Sequence, residues 1–158
     1  LSGSGKTQIS KKILPNIKKK YGPTVLFSGD DIRKIFSLNG YSYNERSNIV
    51  MKYCKLAKFV TNQNINVIFA VVGLISSARK WNKKNIKNYV EIYIKSDVKT
   101  IINKKKKKIY QSKKVNIVGL DIKPEFPKKP DISFKNDFKK NIDSYSEELL
   151  KKIYKNLK

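Results

Sequence analysis

The first seven residues constrain this chain more than any other feature. They read L-S-G-S-G-K-T, the end of the phosphate-binding pattern G-x-x-x-x-G-K-[ST] without its first glycine. In that pattern the glycines let backbone N–H groups approach phosphate oxygens. The lysine reaches the β- and γ-phosphates, the threonine hydroxyl is a ligand of Mg²⁺, and the following helix adds the positive end of its dipole. The alternative, a glycine- and serine-rich linker that ends in Lys-Thr, is disfavoured because a helix and a strand-turn motif follow.

A loop of this pattern connects a buried strand to a helix, and residue 1 already lies inside the loop. We therefore expect the native protein to have a preceding glycine and, before that glycine, a short apolar strand. In the residues given, neither a signal peptide nor a membrane-spanning run is recognisable.

The composition bounds the class of protein. The chain has 158 residues, of which 39% are hydrophobic, so a single domain with a sizeable core is expected. One cysteine and no histidine argue against a disulfide framework and against a zinc site with the usual ligands. We expect Cys54 to be a core residue of a helix and the chain to work in a reduced, cytoplasmic compartment.

The net charge of +24 is a second strong signal, and it has two explanations. A basic chain attracts anions such as nucleotide phosphates, nucleic acid or an anionic membrane. Alternatively, lysine, isoleucine and asparagine have AT-rich codons, so a genome of low GC content would produce this composition by itself. A nucleic-acid-binding protein more often uses arginine with interleaved aromatic residues, and arginine occurs only at Arg33, Arg46 and Arg79. A basic nucleic-acid-binding module therefore stays open as the alternative to a nucleotide-handling enzyme.

Hydrophobic periodicity and turn residues predict helices that alternate with strands. The predicted helices cover residues 6–20, 44–62, 77–88 and a segment that Ser96 opens and that runs into residues 104–108. The predicted strands cover residues 24–27, 67–74, 89–94 and 131–134. A capping box at residues 144–147 is expected to open the last helix. The alternation predicts an α/β fold with a parallel sheet, whose ligands bind at the carboxyl ends of the strands.

Residues 28–33, S-G-D-D-I-R, follow the first predicted strand at this carboxyl edge. In a small kinase with a phosphate-binding loop, a carboxylate here can accept the proton of the acceptor's hydroxyl and help to hold Mg²⁺. Asp30 is the candidate base, and Arg33 is a candidate for binding an acidic part of the acceptor. The alternative is a polar turn in which Asp30 or Asp31 serves as a helix N-cap.

An ordered set of motifs resembles the adenylylsulfate (APS) kinase family. From residue 1 to about residue 131 the chain carries L-S-G-S-G-K-T, S-G-D-D-I-R, G-Y-S-Y-N-E-R-S-N-I, G-L-I-S, V-G-L-D-I and P-K-K-P-D in the family's order and at similar spacing. The phosphate-binding loop alone is unspecific, whereas the ordered set is fairly specific. The resemblance implies a P-loop kinase fold, with a parallel sheet flanked by helices on both faces. Residues 1–158 would form one domain, and residues 104–121 a lid segment within it.

The resemblance also implies roles for individual residues. Lys6 and Asp30 would be catalytic. ATP, the co-substrate, would be bound by Ser2, Gly3, Ser4, Gly5, Lys6, Thr7 and Lys104. The acceptor would be bound by Asp30, Arg33, Tyr41, Arg46, Asn48, Ile75, Ser76, Lys107 and Ile117, with Tyr41 stacking on its base. Mg²⁺ would be held by Thr7 and Ser28.

The chain departs from the family's pattern where that pattern binds the base and the sulfate. The first aspartate of D-G-D is Ser28, the arginine pair of E-N-I-R-R is Val50 and Met51, and the lid phenylalanine is Ile117. Loss of one stacking face weakens the case for adenine, because stacking contributes roughly 1–3 kcal/mol per base. A smaller pyrimidine held mainly on Tyr41 fits such a site. We therefore favour cytidine 5′-diphosphoramidate, used in building capsule phosphoramidate groups, as the acceptor, with APS as the alternative.

Two further features have more than one interpretation. Tyr41 is expected to stack on a base, with core packing as its alternative, whereas Trp81 is expected to pack. In a lid, the lysines of residues 104–108 would neutralise charge on the transferred phosphoryl group; at a solvated helix end, they would complement the helix dipole. The expected partner is a small-molecule nucleotide, with neither nucleic acid nor a membrane, and a homodimer stays open.

Overall fold

The structure is a computed structural model that describes residues 1–104 and 116–157 of the chain. Within these residues the helices are α1 (Lys6–Tyr21), α2 (Gly29–Ile35), α3 (Tyr43–Thr61), α4 (Ser76–Asn85), α5 (Val98–Asn103) and α6 (Ile142–Asn156). The strands are β1 (Thr24–Ser28), β2 (Asn66–Ala70), β3 (Ile92–Lys95) and β4 (Ile132–Lys135). Strands and helices alternate along the chain, as the sequence predicts.

Helix α1 grows directly out of the phosphate-binding loop. Ile9, Ile13 and Ile17 recur every four residues and form its buried face. Pro15 lies inside the helix on the exposed side. Gly22, with a φ of 89°, ends the helix, and its N–H donates to the Lys18 carbonyl oxygen. A tight turn then leads into β1, so α1 runs antiparallel to β1 and its first turn lies at the carboxyl end of that strand.

The strands form two parallel pairs. β1 pairs with β2, with Leu26 opposite Ile68, and β3 pairs with β4, with Ile94 opposite Phe134. Parallel pairing needs long connections between the strands, which the intervening helices supply. The parallel arrangement is confirmed.

A cavity of about 1220 Å³ lies between the two strand pairs. Its walls include residues 67–69 of β2 and residues 92–94 of β3, with apolar side chains of α1 and α6 around them.

Apolar side chains of α1, β4 and α6 form the largest buried cluster. At its centre Phe134 is 1% exposed, and its ring meets the Tyr145 ring edge-on at a centroid distance of 5.5 Å. A second cluster holds α3 and α4 together, with Cys54 buried and Trp81 packed against it. The packing roles expected for Cys54 and Trp81 are confirmed.

Three expectations about helix starts are wrong. Residues 29–35 form helix α2 with Ser28 at the N-cap position, so the alternative in which Asp30 or Asp31 is the N-cap is wrong. Asp97, not Ser96, caps α5: its Oδ1 accepts from the Thr100 N–H at 2.7 Å. A capping oxygen lies two or three residues before the N–H group that it accepts from. Asp97 lies three residues before Thr100, whereas Ser96 lies four residues before it.

The same correction applies to the last helix. α6 begins at Ile142, and Asn141 Oδ1 accepts from the Ser144 N–H at 2.8 Å. The proposed capping box at residues 144–147 is therefore inside the helix, where Ser146 Oγ donates to the Ile142 carbonyl oxygen. A capping box does occur at Ser42, the N-cap of α3.

Among the residues that the structure describes, no helix combines the length and the apolar character that a membrane span requires.

Replacing Phe134 tests the packing of α1, β4 and α6. Phe134→Ala should lower the free energy of unfolding by about 3–5 kcal/mol, because a large buried ring leaves a cavity. Phe59→Ala is the matched control: Phe59 is 66% exposed on α3, and its loss should change stability by less than about 0.5 kcal/mol. Urea denaturation measures both. Equal losses in the two variants would contradict the assigned core.

Candidate active site

The carboxyl ends of the strands bring the predicted chemical groups together. The first turn of α1 lies at the carboxyl end of β1, where α2 also begins. The residue after β4, Asn136, donates to the carbonyl oxygen of Ser4 in the phosphate-binding loop. This edge of the structure therefore carries the loop, the start of α2 and the ends of both strand pairs.

The phosphate-binding loop folds around its own serine and lysine. Gly3 and Gly5 have φ values of 77° and 83°, which other residues rarely adopt. Ser4 is fully buried, and its Oγ donates to the Leu1 carbonyl oxygen at 3.0 Å. Lys6 Nζ donates to the same oxygen at 2.5 Å and to Ser4 Oγ at 3.3 Å. The ammonium group is therefore held against the loop, on a flexible stem that can reach a bound phosphate.

The start of α2 presents two carboxylates. Asp30 and Asp31 are exposed in the first turn, where the helix dipole stabilises negative charge. Gly29 keeps this turn close to the segment after β2, since a Cβ there would lie 3.1 Å from Val71 Cγ2. Tyr53 Oη donates to the Gly29 carbonyl oxygen at 3.0 Å. Burial raises the pKa of Tyr53, and Asp30 contributes to the rise, so the Asp30 carboxylate lies within electrostatic reach of this phenol.

Three residues expected to bind the acceptor form one group, which we call the arginine–tyrosine cluster: Arg33, Tyr41 and Arg46. The two guanidinium carbons lie 4.8 Å and 5.3 Å from the centre of the Tyr41 ring. Arg33 Nη1 donates to the carbonyl oxygens of Leu38 and Gly40, at 2.7 Å and 2.9 Å. Tyr41 is 47% exposed and is not a core residue.

The segment before α3 is shaped by Glu45. Its Oε2 accepts from the N–H groups of Tyr41 and Ser42 and from Ser42 Oγ, at 3.1, 3.0 and 2.6 Å. Gly40 passes so close that a Cβ there would lie 2.5 Å from Glu45 Cβ. These bonds hold Tyr41 in place although half of the side chain faces solvent.

Arg46 connects this cluster to residue 116. Its Nε donates to the Tyr41 carbonyl oxygen at 2.7 Å, and its Nη2 donates to the Asn116 carbonyl oxygen at 2.9 Å. Asn116 has a φ of 63°. The guanidinium thus bridges the expected base platform and the last part of the expected lid.

Glu125 was not found by sequence reasoning. Its carboxylate accepts from the backbone N–H of Ser76 at 2.7 Å and from Tyr43 Oη at 2.6 Å. These bonds lower the pKa of Glu125 to about 2. The carboxylate therefore ties the start of α4 to the start of α3. It lies in a proline-rich stretch without a recognisable pattern, so only the fold reveals its partners.

Other residues with an expected role lie outside the arginine–tyrosine cluster. Asn48 is exposed on α3, and Lys104 is exposed after α5. Ile75 is buried with Val50 and Cys54. Ile117 is 4% exposed and packs with Leu1 and Ile101. Lys107 lies outside the described residues, and the nucleotide contacts assigned to all of these residues stay predictions.

Solved structures of other proteins share this overall fold. The Mycobacterium tuberculosis APS kinase in complex with AMPPNP and APS superimposes with a TM-score of 0.78 over 98% of this chain and 93% of that one, at 19% identity. The crystal structure of APE1195 superimposes with the same TM-score and 22% identity, over 98% and 91%. These likenesses show the P-loop kinase fold.

The sequence comparison decides the family. The adenylylsulphate kinase family model matches residues 1–135. The chain belongs to the adenylylsulphate kinase family. A cytidine diphosphoramidate kinase of Campylobacter jejuni is 32% identical over 157 residues, which cover 97% of this chain and 92% of that protein. An adenylyl-sulfate kinase of Pseudomonas aeruginosa is 26% identical over 155 residues, 94% of this chain and 75% of that protein.

Membership makes this chain a nucleotide kinase of the APS kinase type, a phosphotransferase with an alcohol group as acceptor. The expected family and the expected enzyme class are both confirmed. The reading as a purely nucleic-acid-binding module is thereby disfavoured.

The low pKa of Glu125 predicts a pH-dependent contribution to stability. A carboxylate whose pKa falls on folding, here from 4.5 to about 2, stabilises the fold above pH 4.5 and loses this effect as the pH falls towards 2. The stability difference between wild type and Glu125→Gln should therefore be largest at neutral pH and shrink between pH 4.5 and pH 2. Urea midpoints at pH 7, 5, 4 and 3 measure it.

Glu147→Gln is the matched control, because Glu147 is an exposed glutamate on α6 far along the chain from these contacts. A Glu125→Gln difference that is equal at pH 7 and pH 3 would show that the carboxylate charge does not stabilise the α3–α4 connection.

Proposed function

We propose that this enzyme transfers the γ-phosphate of ATP to the ribose 3′-hydroxyl of a cytidine nucleotide, with cytidine 5′-diphosphoramidate as its preferred acceptor. The observation that carries the proposal is the one-sided platform for the base. Tyr41 is half exposed, whereas Ile117, which stands where the family's lid phenylalanine would stack, is buried in a core cluster. A pyrimidine needs less stacking area than a purine. The identity of 32% with the cytidine diphosphoramidate kinase supports the same acceptor.

The arginine–tyrosine cluster supplies both halves of such a site. The base stacks on Tyr41, which contributes roughly 1–3 kcal/mol. Arg33 and Arg46 now lie against the ring, and an exposed contact of this kind is worth only about 0.5–1 kcal/mol. Stacking of a base on Tyr41 and charge-assisted hydrogen bonds to the diphosphate end together contribute more free energy than that contact does.

The ATP side rests on Lys6 and on oxygen donors at the same edge. In the described part of the chain, no group of three or more His, Cys, Asp or Glu side chains could hold a metal ion. Mg²⁺ in phosphoryl-transfer sites takes one or two protein oxygens and completes its shell with phosphate and water. The hydroxyls of Thr7 and Ser28 and the carboxylate of Asp30 are hard oxygen donors that fit this ion. When bound, it would neutralise charge on the phosphates.

Lys6 and Asp30 have separate tasks in this proposal. The Lys6 ammonium, which donates to the Leu1 carbonyl oxygen and to Ser4 Oγ, follows the phosphoryl group during transfer. Asp30, in the first turn of α2, accepts the proton of the acceptor's hydroxyl as the phosphorus–oxygen bond forms. Asp31 occupies the next position of the same turn and has no task in transfer.

Replacement of each aspartate by asparagine tests this division. Asp30→Asn should reduce kcat by about 10²–10⁴-fold, the usual contribution of a general base, and leave ATP binding in place. Asp31→Asn is the matched control, one residue further along the same exposed turn, and should retain near-normal turnover. Steady-state kinetics with calorimetric ATP binding measures both. A damaging Asp31→Asn beside a mild Asp30→Asn would reverse the assignment.

The acceptor is tested by comparing kcat/KM for cytidine 5′-diphosphoramidate and for APS at equal Mg-ATP. We expect a preference of at least about tenfold for the cytidine nucleotide, the ratio that 1.4 kcal/mol of stacking and charge recognition produces. A clear preference for APS would restore the ordinary family activity.

Tyr41→Ala should raise KM for the acceptor far more than KM for ATP, while Tyr41→Phe, which keeps the ring, should resemble wild type.

A further inference from the structure

The side chain of Asn136 connects the end of β4 to the phosphate-binding loop. Asn136 is 2% exposed, and its Nδ2 donates to the Ser4 carbonyl oxygen at 3.1 Å. Its Oδ1 accepts from the Phe138 N–H at 3.1 Å. Both polar atoms of the amide therefore have a hydrogen-bond partner, with Nδ2 as a donor and Oδ1 as an acceptor. A buried amide with these two partners has one orientation.

The backbone of Asn136 is held by the end of β3. Its N–H donates to the Lys95 carbonyl oxygen at 2.9 Å. Its carbonyl oxygen accepts from Ser96 Oγ at 2.6 Å. The amide group is therefore mounted on paired strands, which hold a functional group more precisely than a loop does.

This contact sets the direction of a peptide unit in the loop. In a trans peptide the carbonyl and the following N–H point in opposite directions, and no cis bond occurs in the described chain. Holding the Ser4 carbonyl towards Asn136 therefore turns the Gly5 N–H away from it. The direction of backbone N–H groups is what gives a loop of this pattern its affinity for phosphate.

Gly5 and Asn136 also lie at the limit of approach. A Cβ at Gly5 would come within 2.7 Å of Asn136 Nδ2. The missing side chain at Gly5 therefore makes room for the amide, in addition to permitting the φ of 83°. The two residues match each other across 131 positions of the chain.

We propose that Asn136 is a positioning residue for ATP: its amide fixes the Ser4–Gly5 peptide so that the phosphate-binding loop is pre-formed for the phosphates. The proposal rests on the proposed use of ATP and is independent of the acceptor. Asn136 touches the loop and not the reacting atoms, so it acts through Ser4 and Gly5.

The experiment measures binding of Mg-ADP, without any acceptor, to the full chain by calorimetry. Asn136→Ala leaves the buried Ser4 carbonyl without its donor and should weaken Mg-ADP binding by about tenfold. Asn136→Asp has the same shape and keeps the acceptor for Phe138, but places a carboxylate against the Ser4 carbonyl and near the phosphates. It should weaken binding further, by about 100-fold.

Asn141→Ala is the matched control. Asn141 is an asparagine of the same connection that caps α6, and its loss costs stability, typically ~1 kcal/mol, without touching the loop. We expect this variant to unfold at a lower urea concentration than wild type while binding Mg-ADP with unchanged affinity.

The outcomes separate the possibilities. Unchanged Mg-ADP affinity in both Asn136 variants would overturn the positioning role, as would an equal loss of affinity in Asn141→Ala, which would indicate instability alone. An Asp variant that binds better than the Ala variant would reduce Asn136 to a packing residue. If Asn136→Ala does not fold, the isosteric Asn136→Asp alone decides. A wild type that does not bind Mg-ADP would instead contradict the proposed use of ATP.

Discussion

The left-handed turn at Gly5 is the constraint on which the candidate site depends. Its φ of 83° lets the chain pass from the loop straight into α1, and its missing Cβ leaves room for the buried amide of Asn136. α1 packs through Ile9, Ile13 and Ile17 against β4 and α6, so the core also fixes where the loop at the start of α1 lies. Lys6 and Thr7 then lie in the first turn of α1, directly after the loop.

The acceptor side is built on a different principle. The arginine–tyrosine cluster lies on α2, on the first turn of α3 and on the segment between them, and polar bonds rather than a core hold it in place. Glu45 collects three donors before α3, and Glu125 joins the starts of α3 and α4. Segments of this kind tolerate substitution better than a packed core does. Such a division allows substitutions on the acceptor side that leave the phosphate-binding loop unchanged.

Local chemistry explains which elements could be predicted. α1 and β1 were predicted nearly to the residue, since a glycine-rich loop and the turn at Gly22 and Pro23 mark their ends. The starts of α5 and α6 were misplaced because several residues in a row can cap a helix. The capping bonds are made by Asp97 and Asn141, which the sequence pattern does not distinguish from the neighbouring candidates. Helix α2 was missed, since its seven residues are too few to show a helical period.

The sequence by itself determined the family, the phosphate-binding loop, the alternation of helices and strands, and the two carboxylates after β1, because each is written in contiguous residues. Tertiary structure decided which distant groups meet: Asn136 with Ser4, Glu125 with Ser76, and Arg46 with Asn116. It also placed Ile117 in a core and left Tyr41 half exposed. The physical reason is that hydrogen-bond partners and burial depend on how elements pack across the chain, and a single asparagine or glutamate carries no local sign of its partner.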